Sequence, residues 1–248
     1  MIPLRAYPPA VAVVAIALVT TGCQSTQSKS AEIGAELGPV KQEKGLKISR
    51  PSKDVKVVSS TLLTDAAGSA VVVVVRNESN RNLANVPILI DVLDAKGKSL
   101  YKNDLPGLEP ALTSIPYVEA GKEMTWVHDQ VLVTGKPKSV TVVVGEGGAQ
   151  FGGKVPEFTV SEPKLEGDPY SGVVAGGNAE NESGEKVDRL LLYAVAREGE
   201  KVIAAGRGAI EKIKPAPKPL PYNVYFIGDP AGGEVEMSWF PTLPGVGK

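Results

Sequence analysis

Two residues stand alone of their kind in this chain of 248: Cys23 and His128. With one imidazole, no metal site built on several histidines is possible, and a lone base has no second ring to assist it. His128 lies two residues after Trp126, so on a strand the two share one face and Asp129 takes the other. That placement reads as a surface histidine on a strand rather than a catalytic base, and no Gly-x-Ser-x-Gly elbow supplies a nucleophile. Asp91 and Asp94 are the nearest approach to paired carboxylates. Asp94, however, opens the turn Asp94-Ala95-Lys96-Gly97-Lys98, where aspartate is favoured because it bonds the backbone of its own turn. One carboxylate with two lysines is also the wrong set for calcium. Asp229 and Glu234, flanking Gly232-Gly233, read as another ordinary turn. No catalytic, cofactor-binding or metal-binding residue is assigned, no cofactor is expected, and the chain reads as a non-enzyme.

Cys23 has a different chemistry. It ends an apolar run, Ala10 to Val19, through Thr20-Thr21-Gly22, with Arg5 as the only charged side chain ahead of the run. The run is about half the ~20 residues that a spanning helix needs. This pattern resembles a bacterial lipoprotein signal, although Thr20 stands where such signals prefer leucine. The resemblance implies a signal peptide over residues 1–22, acylation of Cys23 (palmitate among the chains), and an extracytoplasmic, membrane-anchored protein. It would sit on the outer face of the plasma membrane, or, in a cell with two membranes, on the outer one, which Gln24 favours. An ordinary secretory signal with an incidental cysteine is the alternative, but no second cysteine exists to pair with Cys23.

The elements behind these residues divide simply. Residues 23–53 are rich in Ser, Gln, Lys, Glu and Gly and lack aromatics, and they read as a lipid-anchored flexible tether. Two stretches, residues 54–145 and 157–248, are each the size of one small β-domain, with a glycine-rich linker, 146–156, between them. Phe151 is the one linker residue suited to docking on a neighbour. The formal net charge is −1, and no basic patch interleaves with aromatics, so nucleic acid is not expected as a partner.

An internal repeat organises the folded part. Asn77-Glu78-Ser79 follows a valine run, and Asn181-Glu182-Ser183 follows Val173-Val174-Ala175. Each is succeeded by an apolar strand, a charged glycine turn and a further apolar strand. Gly97 and Gly199 sit where hairpin turns require positive φ. Both Asn-Glu-Ser triplets match the glycan acceptor pattern, but their identical place in the repeat argues for a structural turn. Strands are expected at 55–62, 70–76, 86–93, 98–102, 114–118, 123–131 and 139–144. In the second copy they are expected at 158–165, 172–179, 187–196, 201–206, 209–213, 221–227 and 234–240. Short strands at this spacing specify an all-β fold of two tandem antiparallel sandwiches. The order of strand, Asn-x-Ser turn, strand and glycine turn, with Ala120-Gly121-Lys122-Glu123-Met124-Thr125-Trp126 following, resembles the FxLYD-type immunoglobulin-like domains of bacterial exported proteins. Leu190-Leu191-Leu192-Tyr193-Ala194 is the nearest match to the signature itself. The resemblance implies an immunoglobulin-like fold and no particular activity.

Two segments could be functional surfaces. The unbroken valines Val71 to Val75, and more briefly Val142 to Val144, abandon the alternation of a strand with one wet face. They read as central strands with β-branched residues outside; cover by the other domain or by a partner is the alternative. Pro215 to Pro221 could present a polyproline ligand, but reads better as a stiff connection. The function expected from all this is a lipid-anchored, non-catalytic interaction or scaffolding module of the cell envelope. It would bind an envelope protein or a wall polymer through sheet faces or edges. The alternative is an accessory subunit of an envelope transport or secretion complex.

Overall fold

The valine run at 71–75 belongs to the central strand of a three-stranded sheet. In the computed structural model, which describes residues 45–168, 172–215 and 218–246, β2 (Ser69–Asn77) pairs on one side with β1 (Val55–Thr64) and on the other with β6 (Glu123–His128), both antiparallel. Facing this layer is a sheet centred on β3 (Leu83–Leu93). The first part of β3 pairs with β5 (Ser114–Val118) and β8 (Ala149–Gln150), its second part with β4 (Ser99–Lys102) and β7 (Ser139–Val144). A single helical turn, α1 (Pro110–Thr113), leads into β5. Cys23, the signal segment and the tether through residue 44 lie outside the described residues.

The second half repeats this plan. β11 (Gly172–Asn181) lies between β14 (Leu220–Tyr225) and the two short strands β9 (Phe158–Val160) and β10 (Lys164–Asp168). The facing sheet runs β15 (Ile227–Gly228), β13 (Lys201–Ile213), β12 (Val187–Glu198), β16 (Glu234–Pro241). The fold is all-β and antiparallel, as the spacing of strands and turns predicts. Gly97 and Gly199 have φ of 78° and 60°, as their hairpins demand.

The expected break after Gly206 is absent: β13 is one continuous strand through Gly206-Arg207-Gly208. Glycine inside a strand marks a place where another backbone comes close. A side chain on Gly206 would run into the carbonyl of Tyr225, and one on Gly208 would lie 2.7 Å from the carbonyl oxygen of Asn223. The two glycines let β14 lie almost directly on β13, and they leave Arg207 facing the other way.

That other way is the first half. On β12, Leu190, Leu192, Ala194 and Ala196 pack into the second half's own interior, while Leu191, Tyr193 and Val195 belong to a core shared with Val71, Val72, Val73 and Val127. A strand buried on both faces has no polar side to show, which is why 190–196 reads as an unbroken apolar run. The same physics explains the valines of β2. Val71, Val73 and Val75 share a side with His128, Trp126 and Met124 by register. On the opposite side, Val72 is buried in the core that also holds Leu191, Tyr193 and Val195, and Val74 is half-buried. Cover therefore comes from the second half of the chain.

The glycine-rich stretch at 146–156 is also fixed against the first half. β8 pairs with Leu83 and Ala84, Gly148 fits against Val86, and Phe151 is 5% exposed, edge-on to Tyr117 at 6.0 Å. Of the tether, residues 45–53 are described. Pro51 bridges Gly145, and the Ser52 N–H donates to the Val144 carbonyl at 2.7 Å.

Candidate functional site

Each residue with chemical potential is held by a particular neighbour. His128 is fully buried, a correction to the surface position expected of it, because it points inward with Trp126 between the sheets of the first half. Its Nε2 is 2.9 Å from the Tyr101 hydroxyl, and its Nδ1 accepts the Gln130 N–H at 3.3 Å. The latter bond leaves the proton on Nε2, to be donated to the Tyr101 oxygen. Burial, reinforced by the positive charge of Arg207, pushes the imidazole down to about 3. Burial and Asp104 push the Tyr101 hydroxyl up to about 12. Both groups are neutral over the ordinary pH range and unreached by solvent, so the pair fixes packing.

Asp129 leaves the strand on the opposite side, as alternation requires. There it accepts two bonds from one residue of the second half: the Arg207 N–H at 3.1 Å on Oδ2 and the Arg207 Nε–H at 3.3 Å on Oδ1. This grip ends β6 at His128, short of the expected Val131. Arg207 also donates from Nη1 to Glu109 Oε2 at 3.0 Å, and Glu109 in turn meets Arg189. The Arg207 side chain is 6% exposed. Burial would lower its guanidinium, but Asp129 and Glu109 outweigh that and raise it. Burial likewise raises the Asp129 carboxyl, offset only in part by Arg207. At Glu109 burial is overcome, and the two arginines hold the carboxyl below its usual range. The Tyr193 hydroxyl, opposite Arg207 in the strand pair, is fully buried with no hydrogen-bond partner among the described residues. Arginine between two glycines is the sequence signal for this cluster, at the place where a break between strands 201–206 and 209–213 is expected.

The two Asn-Glu-Ser triplets make one structure twice. Asn77 Oδ1 accepts the Ser79 N–H at 3.0 Å and its hydroxyl at 2.7 Å, and Asn77 Nδ2 donates to the Arg81 carbonyl at 2.7 Å. Asn181 does the same with Ser183 and Glu185, at 3.0, 2.6 and 2.7 Å. Both are turn residues with their amide groups engaged, as their place in the repeat implied. Asp94 likewise accepts the N–H groups of Lys96 and Lys98, and Asp229 that of Ala231. Asp91 pairs with Lys102 at 3.1 Å. Among the described residues no three His, Cys, Asp or Glu side chains come together as metal ligands, and no helix is long and apolar enough to cross a membrane. Of the proline stretch, residues 216–217 lie outside the described residues, and Pro221 pairs with Asn178 in the β11–β14 ladder.

A cleft of about 690 Å³ lies where the two halves meet. β6, an edge strand of the first half, contributes Met124 and Thr125, and β16, an edge strand of the second, contributes residues 236–241. Trp239, 37% exposed, and Tyr117 supply aromatic surface. Glu119 and Lys122 stand at its rim, and two further glutamates there are paired, Glu123 with Arg76 and Glu236 with Arg197. Among the described residues, neither β6 nor β16 has a strand on its outer side. No protein-family model matches the chain, and no curated protein is similar to it.

Proposed function

We propose that this is a lipid-anchored cell-envelope protein, attached through Cys23, whose folded part is a non-catalytic interaction module for an extended polypeptide. The observation that carries this reading is the cleft between the outer edges of β6 and β16. An edge strand offers a row of unpaired backbone groups, and an extended segment can add to it as a further strand while its alternate side chains enter a pocket. Trp239, 37% exposed, is suited to the apolar part of such a segment. The mixed charges at the rim set its register more than its affinity.

The test is a photo-crosslinking residue at Ser238, compared in intact cells with one at Lys164 on the far side of the second half. A single partner captured at Ser238 and not at Lys164, and lost with Cys23→Ala, is the expected result. A peptide copied from its crosslinked segment should then slow amide exchange along β16, and Trp239→Ala should weaken it roughly tenfold, the range of an aromatic anchor. Equal capture at both positions, or unchanged exchange in β16, overturns the reading. If the captured partner is a transport or secretion component, the protein is its accessory subunit.

A further inference from the structure

β4 is an edge strand of the first half, and three independent observations converge on it. The two most exposed large apolar residues of the described chain are Leu132 and Leu105, at 83% and 54%. Leu105 follows the end of β4, and the loop carrying Leu132 returns to the start of β4, where Gly135 packs on Leu100. Lys96, Lys98, Lys136 and Lys138 are all exposed in the two loops at that end, and none of the four is in an ion pair among the described residues. The loops are held side by side, since the Lys138 N–H donates to the Leu93 carbonyl at 2.8 Å and the Asp94 N–H to the Lys98 carbonyl at 2.9 Å. Of the acidic neighbours, Asp94 is held by backbone N–H groups of its turn and Asp91 by Lys102, while Asp104, half-buried beside Leu105, lies at the other end of β4 from the four lysines. Finally, Gly45, the first described residue, lies against the backbone of Asp104, beside Leu105. The chain leading back to Cys23 therefore departs from this same edge.

We infer that the β4 edge is a membrane-docking surface that fits an anionic phospholipid bilayer. Lysines held near such a surface are drawn to it within a Debye length. Leucines bare at a loop tip reach the boundary between headgroup and acyl chain, where apolar area is removed from water. Twenty-one residues, 24–44, separate Cys23 from Gly45. A chain of that length has a root-mean-square reach of roughly 25 Å if flexible, so an anchor at Cys23 holds the edge within range of the bilayer. The cleft between β6 and β16 is lined by other residues. The anchor, part of the proposed function, enters only through this last argument; docking itself rests on the exposed leucines and lysines.

The full chain carrying Cys23→Ala, which cannot be acylated at that position, isolates the surface from the anchor. Its co-sedimentation is measured with vesicles of phosphatidylcholine alone and with vesicles containing a third phosphatidylglycerol. The expected result is a partition coefficient roughly tenfold or more higher on the anionic vesicles, a preference removed by Lys96→Glu/Lys98→Glu/Lys136→Glu/Lys138→Glu and kept by the four arginine substitutions. Leu132→Ser should lower binding several-fold without removing the preference. Equal binding to both vesicles overturns the inference. So does an anionic preference that survives the glutamate variant, which would place the contact in the N-terminal apolar run. Competition by polyglutamate as strong as by the vesicles also overturns it, by marking a site for acidic polymers. These outcomes leave crosslinking at Ser238 untouched, so the two proposals fail separately.

Discussion

Between the sheets of the first half stand Trp126, Tyr101, Ile88 and Ile90 beside a buried histidine; the interior of the second combines Ala175, Ala194, Ala196 and Ala204 with Phe158, Leu190, Leu192, Tyr222 and Phe226, and Gly206 and Gly208 lie beneath β14. Strand order, Asn-Glu-Ser turn and glycine hairpin are the same in both. What differs is the approach at β13, where Gly206 and Gly208 let β14 lie close, and the polar content of the interior. The first half buries a hydrogen-bonded polar pair, His128–Tyr101, inside. The second half buries apolar side chains on its outer face as well, where Leu191, Tyr193 and Val195 join the first half's core. The halves are alike in topology and unequal in self-sufficiency.

Separating the halves is the most severe way to break the comparison. Residues 157–248 alone should show no cooperative thermal transition, because one face of β12 and β13 would be left bare; a sharp calorimetric melt for this piece would mean its own interior suffices. Next in size, Arg207→Ala keeps the backbone N–H bond to Asp129 but takes away the guanidinium that offsets the charge of its buried carboxylate. Removing one member of a buried ion pair costs about 3–5 kcal/mol, to be read by urea denaturation of the full chain. A loss under about 1 kcal/mol would show that water takes the place of the guanidinium.

The difference in polar content can be sharpened with pH. The His128 imidazole is held near 3 when folded and reverts to about 6.5 when unfolded. Its folded value is depressed, so its contribution is fully present above pH 6.5 and is lost as pH falls toward 3. The full chain should lose about 3 kcal/mol of this term between pH 7 and pH 4. His128→Gln should be less stable at neutral pH yet show a flatter slope across that window. Since the chain has no other histidine, an unchanged slope in this variant would move the acid sensitivity to Glu109.

The smallest effect compares the shared motif with itself. Asn77 Nδ2 donates to two carbonyls, those of Arg81 and Val118, whereas Asn181 Nδ2 has only that of Glu185 among the described residues. Asn77→Ala should cost about 2 kcal/mol and Asn181→Ala about 1 kcal/mol, the extra buried carbonyl making the difference. Equal losses in paired melts would mean that the Val118 bond adds nothing.

Strand positions, the hairpin glycines and the Asn-Glu-Ser turns were legible from the chain because each rests on local chemistry: period-two alternation, positive φ, and a side chain bonding its own turn. Asp94 and Asp229 do what turn aspartates do for the same reason. His128 was misjudged because period two places Trp126 and His128 on one face without saying which face is inside. The break expected between 206 and 209 is absent because Gly206 and Gly208 serve a close backbone approach, and the strand that approaches, β14, is distant in sequence. The partner of Arg207 lies 78 residues away, and the cleft is made of two strand edges far apart in the chain. The run Val71–Val75 read as a central strand with β-branched residues outside, and the structure favours the alternative, cover by the other half of the chain. Only the tertiary structure decided that this run and Leu190–Val195 cover each other, because burial on a second face depends on which sheets stack, and no local pattern encodes that.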